Sequence, residues 1–218
     1  MTCNHCCFAC TAKGSDMSKE HFHKAIALAK DLGEHITIGG GEPTLHPMFK
    51  EFVLHAQWEL AEIGEEAGFP AVHMVTNGSN TEIAINLARL AQMGAITVAL
   101  SKDEYHDPID ARVYRAFEKP QVTHYGQDKE HDHRSINKGG GFIIPVGRAK
   151  KWGNHPFVKC VCDSPFITPK GEVYPCGCKK TSVGNLSGEV SLNSDHCQGY
   201  CEVHQPKEYK ENVLERDC

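Results

Sequence analysis

His35-Ile36-Thr37-Ile38-Gly39-Gly40-Gly41-Glu42-Pro43 is the stretch that sets the fold. Its β-branched front half predicts a short buried strand. The three glycines behind it predict a turn whose backbone carries no Cβ to shield it. Upstream, the segment from Ser18 to Lys30 places Phe22, Ala25, Ile26 and Ala29 on one helical face, with Gly33 as the stop. Downstream, Pro47 opens a helix that Phe49, Phe52, Val53, Ala56, Leu60 and Ile63 continue. The pattern then repeats. Ala71 to Thr76 reads as a strand broken at Asn77-Gly78, Thr81 to Met93 as a helix, Ala95 to Leu100 as a strand and Pro108 to Glu118 as a helix. Strands alternating with helices of this length predict an α/β fold with a parallel sheet, either an open sheet or a barrel.

Ligands in such folds sit at the carboxyl ends of the strands. The segments leaving those ends are Gly39-Gly40-Gly41-Glu42-Pro43, Thr76-Asn77-Gly78 and Ser101-Lys102-Asp103. Taken singly, each is an ordinary turn. Together they converge on one face as polar or glycine-rich loops.

The bulk numbers limit the function classes. A chain of 218 residues can form one domain of ordinary size plus a small appendage. Hydrophobic content of 40% with 23% charged residues is that of a globular protein, which argues against wholesale disorder. The sequence has no apolar run of membrane-spanning length and no signal peptide ahead of Cys3, so a cytoplasmic protein without a membrane partner is expected. A net charge of -5 gives no general attraction to nucleic acid, and the short basic patch Arg148-Ala149-Lys150-Lys151 reads as a solvated face.

Cysteine is the unusual residue. There are 11, an odd count, lying at 3, 6, 7 and 10 and then at 160, 162, 176, 178, 197, 201 and 218. In a reducing compartment this pattern favours metal ligands over disulfides, in two regions separated by a cysteine-free scaffold. The segment Cys3-Asn4-His5-Cys6-Cys7-Phe8-Ala9-Cys10 has two readings. Cys3-x2-Cys6 with Cys7-x2-Cys10 would make zinc knuckles, although four cysteines in so short a loop crowd one tetrahedral ion. Cys3-x3-Cys7-x2-Cys10 would put three thiolates on three irons of a cubane, leaving one iron open to a small-molecule chelate and Cys6 spare.

The cubane reading resembles the radical S-adenosylmethionine superfamily, whose signature is Cys-x3-Cys-x2-Cys with an aromatic at the position of Phe8. Gly40-Gly41-Glu42-Pro43 is similar to that family's motif after its second strand. The resemblance implies that Cys3, Cys7 and Cys10 hold a [4Fe-4S] cluster with one open iron. It also implies that Gly40, Gly41, Glu42 and Pro43 meet the methionine amino group of S-adenosylmethionine. Asn77 joins the candidate cofactor contacts, as do Ser101 and Asp103 near the ribose and carboxylate. Arg148, in Pro145-Val146-Gly147-Arg148-Ala149, resembles an arginine that pairs with the methionine carboxylate. The family's chemistry is one-electron cleavage of S-adenosylmethionine to a 5′-deoxyadenosyl radical, fed by a donor such as flavodoxin or ferredoxin. No general acid or base is assigned.

Beyond Cys160 the texture changes. The segments 163–168 and 172–175 flank Pro169-Lys170-Gly171 and predict a β-hairpin. Gly171-x4-Cys176, then Gly184-Asn185-Leu186, then Cys197-x3-Cys201, resembles the C-terminal modules called SPASM or twitch. That resemblance implies one auxiliary [4Fe-4S] cluster on Cys160 or Cys162 with Cys176, Cys197 and Cys201. Zinc on the same ligands is the alternative. The expected domains are a radical S-adenosylmethionine partial barrel over 1–150 and the cysteine-rich module over 151–218. The histidines, including His5, His131 and His133, receive no ligand role.

Two departures from the family pattern shape the fold expectation. Met1-Thr2 leaves no room for a strand before the cysteine loop, and 119–142 is short for the strand–helix units that relatives carry there. The polar run from Gln127 to Arg134 reads as an exposed loop. A truncated, open (β/α) partial TIM barrel is therefore expected, open enough for a peptide, a protein or another bulky substrate. The same chemistry on a small molecule or nucleotide, or a non-catalytic iron–sulfur or zinc module, are the alternatives.

Overall fold

The structure, a computed structural model, describes residues 14–102, 106–118, 131–138, 164–177, 179 and 181–192. These fall in two compact units, one within Phe22–Gly140 and the other made of the described parts of Thr2–His21 and Gly141–Cys218.

In the first unit the elements alternate. Helix α1 (Lys19–Leu32) precedes strand β1 (Ile36–Ile38), a 3-10 turn (Pro43–Leu45), α2 (Phe49–Glu59) and α3 (Ala61–Ala67). Then come β2 (Val72–Thr76), α4 (Thr81–Gln92), β3 (Thr97–Ser101), α5 (Ala111–Phe117) and β4 (Arg134–Asn137). The strands lie in the order β1-β2-β3-β4, every pair parallel. Each strand thus sits beside its predecessor after a crossover, as in the wall of a (β/α) barrel. Helix α1 buries Phe22, Ile26 and Ala29, spaced to form one stripe, and Phe22 stacks on Phe52 of α2 with centroids 4.0 Å apart.

The register separates the two faces of the sheet. Val72, Met74 and Thr76 align with Val98, Leu100 and Arg134 on a buried face. Arg134 Nη1 donates to the Ala116 carbonyl at 2.6 Å, so α5 lies on that side. The opposite face carries Thr37, His73, Val75, Thr97, Ala99, Ser101, Ser135 and Asn137, all half-buried or exposed. Parallel sheets normally bury two apolar faces. This one keeps a polar face.

Three sequence expectations change. First, β1 has Thr37 exposed and both isoleucines only half-buried, and among the described residues it has a hydrogen-bonded neighbour on one side alone. Second, the helix expected to run on through Ile63 breaks at Leu60. The break keeps Leu60 in the core and leaves Ile63 half-buried, and it lets Gly64 back onto the chain at 69–71, where a Cβ would lie 3.2 Å from Ala71 N. Third, Arg134 is not in an exposed loop. It opens β4, buried, because Nε and Nη2 donate to Asp132 at 2.9 and 2.7 Å while Nη1 is held by the Ala116 carbonyl. A fully partnered guanidinium can enter a core that its hydropathy argues against.

The second unit holds an antiparallel sheet, β5 (Phe166–Ile167), β6 (Glu172–Tyr174) and β7 (Gly184–Asn185), in that order. Phe166 pairs with Tyr174 and Ile167 with Val173, which is the hairpin expected around Pro169-Lys170-Gly171. Among the described residues, Val173, Cys176 and Leu186 are its buried side chains. Among the described residues, no helix is long and apolar enough to cross a membrane.

Candidate functional site

The carboxyl end of β1 runs straight into Gly39-Gly40-Gly41. Gly40 has φ 136°, a conformation that favours glycine, and among the described residues no atom lies within 4 Å of a Cβ built at any of the three. This backbone is open on the side that side chains would otherwise fill.

Glu42 then caps the 3-10 turn that Pro43 opens. Its Oε1 accepts from Thr44 N at 3.2 Å and from Thr44 Oγ1 at 2.6 Å. The same carboxylate reaches the end of β2, where Thr76 Oγ1 donates to Oε1 at 2.8 Å and Asn77 N donates to Oε2 at 2.7 Å. Glu42 is 8% exposed, so its charge depends on these four donors. The network continues outward. Gly78 N donates to Thr76 Oγ1 at 3.1 Å, Ser79 N to Asn77 Oδ1 at 2.9 Å, and Asn80 Nδ2 to the Thr44 carbonyl at 3.2 Å. Asn80 also caps α4 by accepting from Ile83 N at 3.5 Å. The loops after β1 and β2 therefore form one hydrogen-bonded body.

Ser101 ends β3 and is registered beside Asn137, the last residue of β4. Lys102 N donates to the Asn137 carbonyl at 2.7 Å, and Lys102 Nζ sits 4.1 Å from the centre of the Tyr114 ring. The structure thus joins Glu42 and Asn77 in one network, with Gly40 and Gly41 just ahead of Glu42 and Pro43 just behind it, and puts Ser101 at the same end of the sheet. Cys3, Cys7, Cys10, Asp103, Arg148, Cys160, Cys162, Cys197 and Cys201 lie outside the described residues. Cys176 belongs to the second unit, on the turn after β6, and is 4% exposed. No group of three or more His, Cys, Asp or Glu side chains that could hold a metal occurs among the described residues.

Sequence reasoning missed Thr44, Asn80 and Asn137 as members of this end of the sheet, and it placed Thr76 there without a role. Thr76 was in view only as a turn-flanking residue. Asn137 was hidden because no strand was read after the loop expected over Gln127–Arg134, although Arg134-Ser135-Ile136-Asn137 alternates inward and outward once Arg134 is allowed inside.

The residues present fit the methionine end of S-adenosylmethionine. A glycine backbone free of Cβ atoms borders a carboxylate whose Oε2 takes a single donor among the described residues, leaving acceptor capacity for an ammonium. No curated protein matches the chain. The model of the Radical SAM superfamily matches residues 1–122, the span that includes the cysteine segment and all three strand-end loops. That family uses a [4Fe-4S] cluster and S-adenosylmethionine. With a match over more than half of its 218 residues, the chain belongs to the radical SAM superfamily.

Proposed function

We propose that the protein cleaves S-adenosylmethionine reductively and modifies a peptide, a protein side chain or another bulky polar substrate. When bound, the cluster supplies one electron to the sulfonium of S-adenosylmethionine, which breaks into methionine and a 5′-deoxyadenosyl radical that takes a hydrogen atom from substrate. Cys3, Cys7 and Cys10 would hold that cluster. Gly40, Gly41 and Glu42 would receive the methionine amino group, with Pro43 fixing the turn. Asn77, Ser101 and Asp103 would line the rest of the cofactor, and Arg148 would pair with the carboxylate. The observation that carries this reading is the open Gly39–Gly41 backbone held beside a buried carboxylate at the carboxyl end of a parallel sheet.

The substrate class rests on the polar face of the sheet. Thr37, Ser101, Ser135 and Asn137 offer neutral hydrogen-bonding groups along its length, and burial lowers the pKa of His73, which favours its neutral imidazole. A surface of that chemistry suits a polar, uncharged chain such as a peptide backbone better than a phosphorylated ligand. A SPASM- or twitch-like module with an auxiliary [4Fe-4S] cluster on Cys160 or Cys162, Cys176, Cys197 and Cys201 completes the proposal. Its electron donor would be a flavodoxin or ferredoxin. An oxygen-sensitive cluster and 11 cysteines suit the reducing cytoplasm.

Anaerobic reconstitution, reduction with dithionite and assay of 5′-deoxyadenosine test the reading. The expected result is 5′-deoxyadenosine and methionine in equal amounts, abolished by Cys7→Ala. A fully loaded, reduced protein that makes none would rule out the enzyme and leave a passive metal-binding module. Addition of peptides should then raise the yield, while nucleotides should not.

A further inference from the structure

We infer that Thr76 is a positioning residue for S-adenosylmethionine, acting through Glu42 to hold the glycine loop in its binding pose; this rests on the function proposed above. Thr76 ends β2, is 1% exposed and lies 34 residues along the chain from Glu42 in the glycine loop. Its hydroxyl bonds in two directions at once. It donates to Glu42 Oε1 at 2.8 Å and accepts from Gly78 N at 3.1 Å. A hydroxyl has one hydrogen to donate, and here that hydrogen is committed to the carboxylate.

The consequence is a division of labour among the four donors to Glu42. The two from Thr44 come from the same loop as Glu42 itself, so they shape the turn without fixing its place. The two from Thr76 and Asn77 come from another strand end, so they fix the loop to the sheet. The Asn77 bond is made by backbone and survives any side-chain change. Among the donors to Glu42, Thr76 Oγ1 is therefore the side-chain group that ties residues 39–42 to the neighbouring strand, with Asn80 Nδ2 on the Thr44 carbonyl as a second tie further along the turn. Without Thr76 Oγ1, Oε1 loses a charge-assisted bond, Gly78 N loses its acceptor, and the fraction of molecules with the loop correctly placed falls. The apparent affinity for S-adenosylmethionine falls in proportion to that fraction. Thr76 touches neither cofactor nor substrate in this account.

Thr76→Ser and Thr76→Ala form the deciding pair, since both lose the methyl group and they differ only in the hydroxyl. Thr76→Val, the isostere without a hydroxyl, is the companion variant. Each is reconstituted anaerobically, its iron is counted, and S-adenosylmethionine is titrated against the reduced protein while the EPR signal of the cluster is followed. The expected result is unchanged iron in all variants, a Kd within about twofold of the original for Thr76→Ser, and a Kd about tenfold higher for Thr76→Ala and Thr76→Val. Amide hydrogen exchange over residues 39–44 should be faster in Thr76→Ala than in Thr76→Ser, a difference read without turnover. Equal affinities for Ser and Ala would overturn the inference, and so would a Thr76→Ala that merely melts earlier while binding normally. If Thr76→Val does not fold, the Ser and Ala pair still decides. A parent protein whose EPR signal ignores S-adenosylmethionine counts instead against the proposed function itself.

Discussion

Glycine has two different uses at the carboxyl ends of β1 and β2, and the difference is measurable. Gly78 adopts φ 75° inside a packed corner, where a Cβ would fall 2.6 Å from Ile109 Cδ1, 3.0 Å from Leu100 Cδ1 and 3.1 Å from Val113 Cγ1. Leu100 and Val113 are core side chains of β3 and α5 with little room to yield, while Ile109, half-buried on the approach to α5, meets the new Cβ with the end of its side chain. Gly40, at φ 136°, faces open space among the described residues. Gly78→Ala combines left-handed strain with overpacking and should cost about 2–4 kcal/mol of unfolding free energy. Gly40→Ala carries the backbone strain alone, about 1–3 kcal/mol. Its larger effect should fall on cofactor binding, because the new methyl occupies the side from which a ligand reaches the backbone. Urea unfolding of both variants, set beside titration with S-adenosylmethionine, checks the contrast. A Gly40→Ala that binds normally would remove the loop from the site.

At the scale of elements, β4 shows why a strand can be invisible to hydropathy. The first three strands announce themselves through β-branched and apolar residues, and the helices through their stripes, so both were legible in the sequence. β4 points an arginine into the core instead. Arg134 is accommodated because Asp132, two residues earlier, takes Nε and Nη2 together while the end of α5 supplies a carbonyl. The break at Leu60 was hidden for the opposite reason, since Leu60 and Ile63 continue an apolar spacing that the chain does not follow. The arginine pair gives a direct test. Arg134→Met leaves Asp132 with a charge in a place where its side chain is only 15% accessible, and should cost about 3–5 kcal/mol. Asp132→Leu strands the guanidinium at similar cost. The double replacement Asp132→Leu with Arg134→Met removes both charges and should recover much of the loss, giving strong non-additivity in a double-mutant cycle. Additive costs would mean that the pair does not anchor β4.

Across the whole molecule, the candidate site divides by the kind of signal that each part carries. The glycine loop, Glu42, Asn77 and Ser101 were legible because turn residues at the ends of successive strands must share one end of a parallel sheet. The role of Thr76 was not, because a threonine in a strand is ordinary until its hydroxyl finds a partner across 34 residues. Cysteine spacing divides the chain at the largest scale, with one set before the sheet and another around the hairpin of the second unit. Cys176, 4% exposed beside β6, lends itself to two accounts. As a core thiol it would act as a small hydrophobe, and Cys176→Ser would change stability but not metal content. As a ligand of an auxiliary cluster it would carry iron. Reconstituted protein should then hold about eight irons, from two cubanes, and Cys176→Ser about four. The EPR response to S-adenosylmethionine should survive in Cys176→Ser, because it belongs to the cluster on Cys3, Cys7 and Cys10. Cys7→Ser should give the reverse, with half the iron and no response. About four irons with one zinc would assign the second site to zinc. Iron unchanged by Cys176→Ser would return that residue to the core and remove it from the ligand set.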